Sequence, residues 1–116
     1  MTVINDMIRN AKGRKLEILK ELKKYNKEGY LFMMQPGSTF KPKYRSLQKT
    51  DMWKKAKDLL LEYFKIEQGI LKCGICGQYL KKPVMHHVKY DPINLFTPIY
   101  IQMISVYCHS KEHSKV

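Results

Sequence analysis

The stretch that decides the fold runs Lys72-Cys73-Gly74-Ile75-Cys76-Gly77, continues with His86-His87, and closes with Cys108-His109-Ser110-Lys111-Glu112-His113. All three cysteines and all four histidines of the 116-residue chain lie in it. Thiols and imidazoles are the side chains that bind transition metals, and a C-x2-C pair is the usual start of a tetrahedral zinc site. Gly74 and Gly77 permit the tight turn that aims two thiolates at one ion. Cys73, Cys76 and Cys108 together make three legs of a soft, closed site suited to zinc. The imidazoles of His86, His109 and His113 suit a second, harder and more open site. His109 and His113 are spaced i, i+4 and so share a helix face. His86 and His87 are neighbours, and neighbours on a strand point to opposite faces. With His86 as a ligand, His87 is left to act as a base, because a neutral imidazole takes a proton near neutral pH.

Working outward, Ile70 to Cys73 reads as a short strand entering the knuckle, and Lys82 to Val88 as a second strand. Asp91, Pro92 and Pro98 mark an irregular connection, with Asn94 read as a turn residue. Ile99 to Tyr107 is mostly apolar and reads as a helical or extended approach to Cys108. Upstream, Thr50 caps a helix whose inner face is Trp53, Ala56, Leu60 and Phe64, and Gly69 ends it. Trp53 and Tyr90 read as packing residues. Residues 4–27 read as a helix with Ile4, Ile8, Ala11, Ile18, Leu22 and Tyr25 on one face and a break or bend near Gly13. Between these helices, residues 29–48 read as an irregular arm punctuated by Gly29, Pro36, Gly37 and Pro42. Its apolar run Tyr30 to Met34 is expected to dock on the core or form a short strand. The segment Phe40-Lys41-Pro42-Lys43-Tyr44-Arg45 interleaves rings with cations, a composition suited to stacking on bases and meeting phosphates.

Twenty-two basic residues against ten acidic ones give a formal net charge of +12. That bias favours a polyanion, with nucleic acid ahead of an anionic membrane surface. Three cysteines cannot all pair, and two sit in a C-x2-C, so a reducing, cytoplasmic setting is expected. Neither a signal-peptide-length apolar run nor a membrane span is read in the sequence.

The run Trp53-Lys54-Lys55-Ala56-Lys57, then Leu60, Lys72 to Gly77, His86-His87-x2-Tyr90 and Ile104-x3-Cys108-His109-x3-His113 resembles an HNH endonuclease. It is most similar to the zinc-stapled branch with C-x2-C knuckles. The resemblance covers residues 50–116 and leaves 1–49 as a basic helical extension and arm. It implies an α+β fold: a ββα-metal (His-Me finger) core with a zinc knuckle, preceded by basic α-helices. By the same resemblance His87 is the general base, His86 the first metal ligand and His109 the ligand that opens the helix. His113 matches a further ligand or phosphate contact. The implied reaction is attack of activated water on a DNA phosphate, leaving a 5′ phosphate and a 3′ hydroxyl. Its ions would be a structural Zn2+ and a catalytic Mg2+, Mn2+ or Ni2+. DNA would be held mainly through its backbone, with Lys41, Lys43, Arg45, Lys54, Lys55 and Lys89 as the candidate contacts. Cutting both strands with one small site calls for a homodimer or two successive nicks. Where this branch has its fourth knuckle cysteine the chain has Ser105, so the fourth zinc ligand is Ser105, His113 or water. An ungapped match sets Tyr100 on the family's asparagine, with Asn94 as the alternative through a different loop path. The competing expectation is a non-catalytic zinc-binding module of the same fold that recognises nucleic acid.

Overall fold

Helix-forming periodicity and a few punctuating residues set the first half of the chain. The structure, a computed structural model, describes residues 3–37 and 39–114, with side chains through Lys111. Helix α1 spans Val3–Asn10 and α2 spans Gly13–Met33, with Gly13 at φ 63° making the bend between them. Helix α3 follows at Phe40–Gln48 and α4 at Asp51–Gln68. The Thr50 hydroxyl caps α4 by accepting from the Trp53 N–H at 3.2 Å, and Gly69 at φ 78° ends it.

The second half is short on regular structure. Strand β1 is Val84–His87 and β2 is Ile101–Ile104, reached through a 3-10 turn at Pro98–Tyr100. They pair antiparallel, with His86 opposite Gln102 and His87 opposite Ile101. Helix α5, Val106–Ser114, follows β2 directly and packs on β1. The chain is thus a mixed α+β fold with a two-stranded sheet. Among the described residues no helix is long and apolar enough to cross a membrane.

Two expectations are corrected. Residues 29–48 are not an irregular arm, because α2 runs on to Met33 and α3 occupies most of the remainder. Pro42 is tolerated as the third residue of α3, where a backbone N–H has no helical partner to lose. The strand expected at Ile70 to Cys73 is reduced to one antiparallel bridge, Lys72 to Tyr79.

One apolar core joins both halves. Ile18, Leu19 and Leu22 of α2, Leu47 of α3 and Leu60 of α4 share a buried cluster with Leu95, Phe96, Ile104 and Cys108. Gly29 sits where α2 crosses the loop before β2, and a Cβ there would lie 2.9 Å from Leu95 Cδ1 and 3.3 Å from Phe96 Cε2. The glycine read as punctuating an irregular arm is therefore a close-approach residue inside a helix. Surface ion pairs from Arg14 to Glu62 and from Lys15 to Glu67 also bridge α2 and α4. Exposed pairs of this kind add little to stability.

Candidate metal centre and histidine site

The three thiols converge. The Sγ atoms of Cys73, Cys76 and Cys108 all lie within 4.8 Å of one another. Zn–S bonds of about 2.3 Å in a tetrahedron put sulfurs about 3.8 Å apart, so the trio can hold a metal ion such as zinc. Cys73 and Cys108 are buried and Cys76 is exposed. The knuckle closes through the Gly77 N–H, which donates to the Cys73 carbonyl at 2.9 Å, with Gly77 at φ 76°. It is tied to β2 by the Gly74 N–H donating to the Met103 carbonyl at 3.0 Å.

Backbone dipoles prepare one thiol for a cation. Burial pushes the Cys73 thiol up, but the N–H groups of Cys76, Ser105 and Ile75 outweigh it and bring it down to about 6. For Cys108 the Ser105 hydroxyl pulls downward, while burial and the two neighbouring cysteines leave the thiol raised. Ser105 is chiefly a helix-capping residue. Its hydroxyl accepts from the Cys108 N–H at 3.1 Å, and its own N–H donates to Cys73 Sγ at 3.4 Å. Its oxygen stands 4.0 Å from Cys73 Sγ, beside the thiol cluster.

The histidines divide between two sides of the β1 strand, as alternation requires. The His86 and His109 rings lie with centroids 6.1 Å apart, a T-shaped pair joining β1 to the start of α5. Two imidazoles bound to one ion at about 2.1 Å would put their centroids roughly 5 Å apart, so at 6.1 Å the rings are neighbours about 1 Å wider than a shared tetrahedral ion would set them. The side chain of His113 lies outside the described residues.

His87 faces the other way, into an aromatic cluster. Its ring centroid is 6.0 Å from Tyr44, 6.1 Å from Trp53 and 6.4 Å from Tyr90. Its Nε2 is 2.7 Å from the Leu95 carbonyl, which can only accept, so Nε2 carries the hydrogen. Nδ1 then bears the lone pair, and the Tyr44 hydroxyl donates to it at 2.9 Å. Burial lowers the His87 pKa, with the Leu95 carbonyl opposing and the nearby His86 adding to the lowering, so the neutral ring is favoured.

A buried polar chain fixes the Leu95 carbonyl. Asn26, 5% exposed on α2, accepts from the Phe96 N–H at 2.6 Å and donates to Thr97 Oγ1 at 2.8 Å. Thr97 donates to Asn94 Oδ1 at 3.0 Å, and Asn94 Nδ2 donates to Asp91 at 3.1 Å. Asn94 thereby pins the loop beside His87, while Tyr100 lies in the 3-10 turn under the Lys89 ammonium. Asn26 and Thr97 were not legible as site residues, and Tyr44, read as a ring suited to stacking on bases, was not legible as a partner of His87. Asn26 lies in a lysine-rich helix seventy residues from its partner, so no local spacing marks it.

The candidate phosphate contacts do not form one patch. Lys41, Lys43 and Arg45 share α3 with Tyr44, the residue that contacts His87, with Lys41 and Arg45 exposed and Lys43 half-buried. Lys43 Nζ also reaches the Met33 carbonyl at 3.5 Å. Lys89 follows β1 closely, and Lys54 is exposed on α4. Lys55 stands apart, lining a shallow cavity with Glu21, Asp58 and Glu62, an acidic setting that disfavours a phosphate. Comparison of the chain with family models, with curated proteins and with solved structures found no match.

Proposed function

We propose that the chain is a metal-dependent HNH endonuclease that hydrolyses DNA phosphodiester bonds, built on a ββα-metal core. One observation carries this: the β1–β2–α5 unit sets the rings of His86 and His109 together, while the adjacent His87 is held as a neutral imidazole with its lone pair on Nδ1. Each part then has a task. His86 and His109, with His113 as a candidate third ligand, would hold Mg2+, Mn2+ or Ni2+. Such an ion would stabilise negative charge developing on the phosphate and the leaving 3′ oxygen. His87 Nδ1 takes the proton of the attacking water, and the Leu95 carbonyl stabilises the imidazolium that results. The cysteine trio holds a structural Zn2+ and so fixes the start of α5, which carries His109. Lys41, Lys43, Arg45, Lys54 and Lys89 supply backbone contacts with DNA.

A supercoiled-plasmid assay tests the proposal. The protein should nick in the presence of a divalent ion, and His87→Ala should lower the rate by about 10²- to 10⁴-fold. An imidazole ligand set suits Mn2+ or Ni2+ better than Mg2+, so activity with either should at least equal that with Mg2+. Strict Mg2+ preference would count against the imidazole ligand set. One observation favours the second reading, a non-catalytic zinc-binding module that recognises nucleic acid: both His87 ring nitrogens already have protein partners. Tight DNA binding with no cleavage under any of these metals would decide for it.

A further inference from the structure

The lone pair that would accept the proton of water is already occupied. Nε2 of His87 donates to the Leu95 carbonyl, so Nδ1 is the only basic nitrogen of the ring, and the Tyr44 hydroxyl donates into it at 2.9 Å. Tyr44 is well seated there, against Trp53 at 5.7 Å between centroids, Phe40 at 5.5 Å and Tyr90 at 6.1 Å. A water molecule cannot reach Nδ1 along the lone pair while the phenol holds it.

The helix that carries the phenol is anchored at one end. Its buried residue is Leu47, in the last turn. The first turn is more exposed: Lys41 and Pro42 are exposed, and Phe40 is 49% exposed and held by an edge-on contact with Tyr90 at 4.7 Å between centroids. It is preceded by Gly37 at φ 126°, a backbone conformation open to glycine. A short helix with few buried contacts at one end opens there at low cost. The same turns carry Lys41 and Arg45, both exposed, and Lys43, half-buried with its Nζ 3.5 Å from the Met33 carbonyl, cations suited to phosphates.

We propose that α3 is a DNA-operated gate on His87. Tyr44 closes the base in the free protein, and phosphates engaging the α3 cations draw the phenol off Nδ1. This rests on the nuclease reading for its consequence, but the contact itself is measurable without cleavage. It also reconciles a ring with two protein partners and a ring that does chemistry, because the two belong to different states of the chain. One neutral hydrogen bond biases the closed state by about five- to tenfold. The gate would restrain hydrolysis until substrate is in place.

The test follows the His87 ring nitrogens by long-range 15N–1H NMR, with no Mg2+, Mn2+ or Ni2+ added. A short mixed-sequence DNA duplex should move the Nδ1 resonance toward the value of a bare lone pair and leave Nε2 protonated. In Tyr44→Phe the bare value should be present before DNA is added, and nicking at DNA concentrations well below saturation should rise about five- to tenfold, the closed-state bias removed, with little change at saturation. Because Tyr44 is also packing, Lys41→Gln/Arg45→Gln provides a second arm on exposed positions. At a DNA concentration that saturates both proteins, this variant should leave Nδ1 more fully capped than wild type does. A duplex that saturates the wild-type protein without moving Nδ1 would overturn the gate. So would a tenfold or greater loss of nicking in Tyr44→Phe at unchanged melting temperature, since the phenol would then be working with the base. Nδ1 freed by DNA with no nicking under any metal would sink the nuclease reading and leave the gate standing.

Discussion

Cys73 combines burial with three backbone N–H groups turned toward its sulfur, which is a site built for a negative charge. With the thiolate unbalanced by a cation, that charge is buried beside two other thiols. Cys73→Ser is therefore expected to abolish zinc binding and lower the melting temperature by about 10 °C or more, a loss of roughly 2 kcal/mol or above. Elemental analysis and a thermal scan check it; a variant that keeps about one zinc per chain would refute the knuckle assignment. His87 makes a pH prediction with a definite sign. Burial lowers its pKa in the folded chain, while the unfolded imidazole titrates near 6.5. Between those values the unfolded state binds more protons, so stability contributed by the neutral ring is present above about 6.5 and is lost as pH falls through the lowered value. Urea melts of wild type and His87→Gln should diverge least at acid pH. For the proposed base, the acidic limb of the nicking profile should lie below about 6.5, and a limb at or above that value would contradict its burial.

Between elements, the decisive contact is α2 against the loop ahead of β2. Replacing a helical glycine by alanine ordinarily stabilises by about 1 kcal/mol. At Gly29 the new methyl would meet Leu95 Cδ1 at 2.9 Å, and Leu95 and Phe96 are both 0% exposed with no room to retreat. Overpacking outweighs propensity, so Gly29→Ala should destabilise by about 1–3 kcal/mol, read as a lower urea midpoint. Asn26→Ala leaves the Phe96 N–H and the Thr97 hydroxyl short of partners and should cost about 2 kcal/mol. Cys73 and Cys76 were legible because C-x2-C is a local pattern, Cys108 because it is the one remaining thiol of the chain, and the parting of His86 from His87 because strand alternation is local too. The Thr50 cap and the Gly69 stop were legible for the same reason. Helix α3 was not, since Gly37 and Pro42 are turn residues unless one lies just outside a helix and the other in its first turn. Nor was the Asn26 chain or the Tyr44 contact, whose partners come together only through the tertiary fold.

For the molecule as a whole, charge sets how it meets a partner. A net +12 should produce tight, salt-sensitive binding to duplex DNA with little sequence preference. If Lys41, Lys43 and Arg45 each neutralise a phosphate, changing all three to Gln should flatten the log Kd against log salt slope by about 3. A slope unchanged within error would place the DNA elsewhere. The seat of Gly29 against Leu95 and Phe96 has a further consequence, for how such a chain can be altered. A fragment starting at residue 50 would bare two large side chains that the intact chain hides completely. The histidine region is consequently not portable: it is not expected to keep its fold when cut from α2 and α3 and grafted elsewhere as a cassette. Any redesign of the surface would have to be made in place, on the outer faces of α2 and α3, while their inner faces go on supporting the loop behind His87.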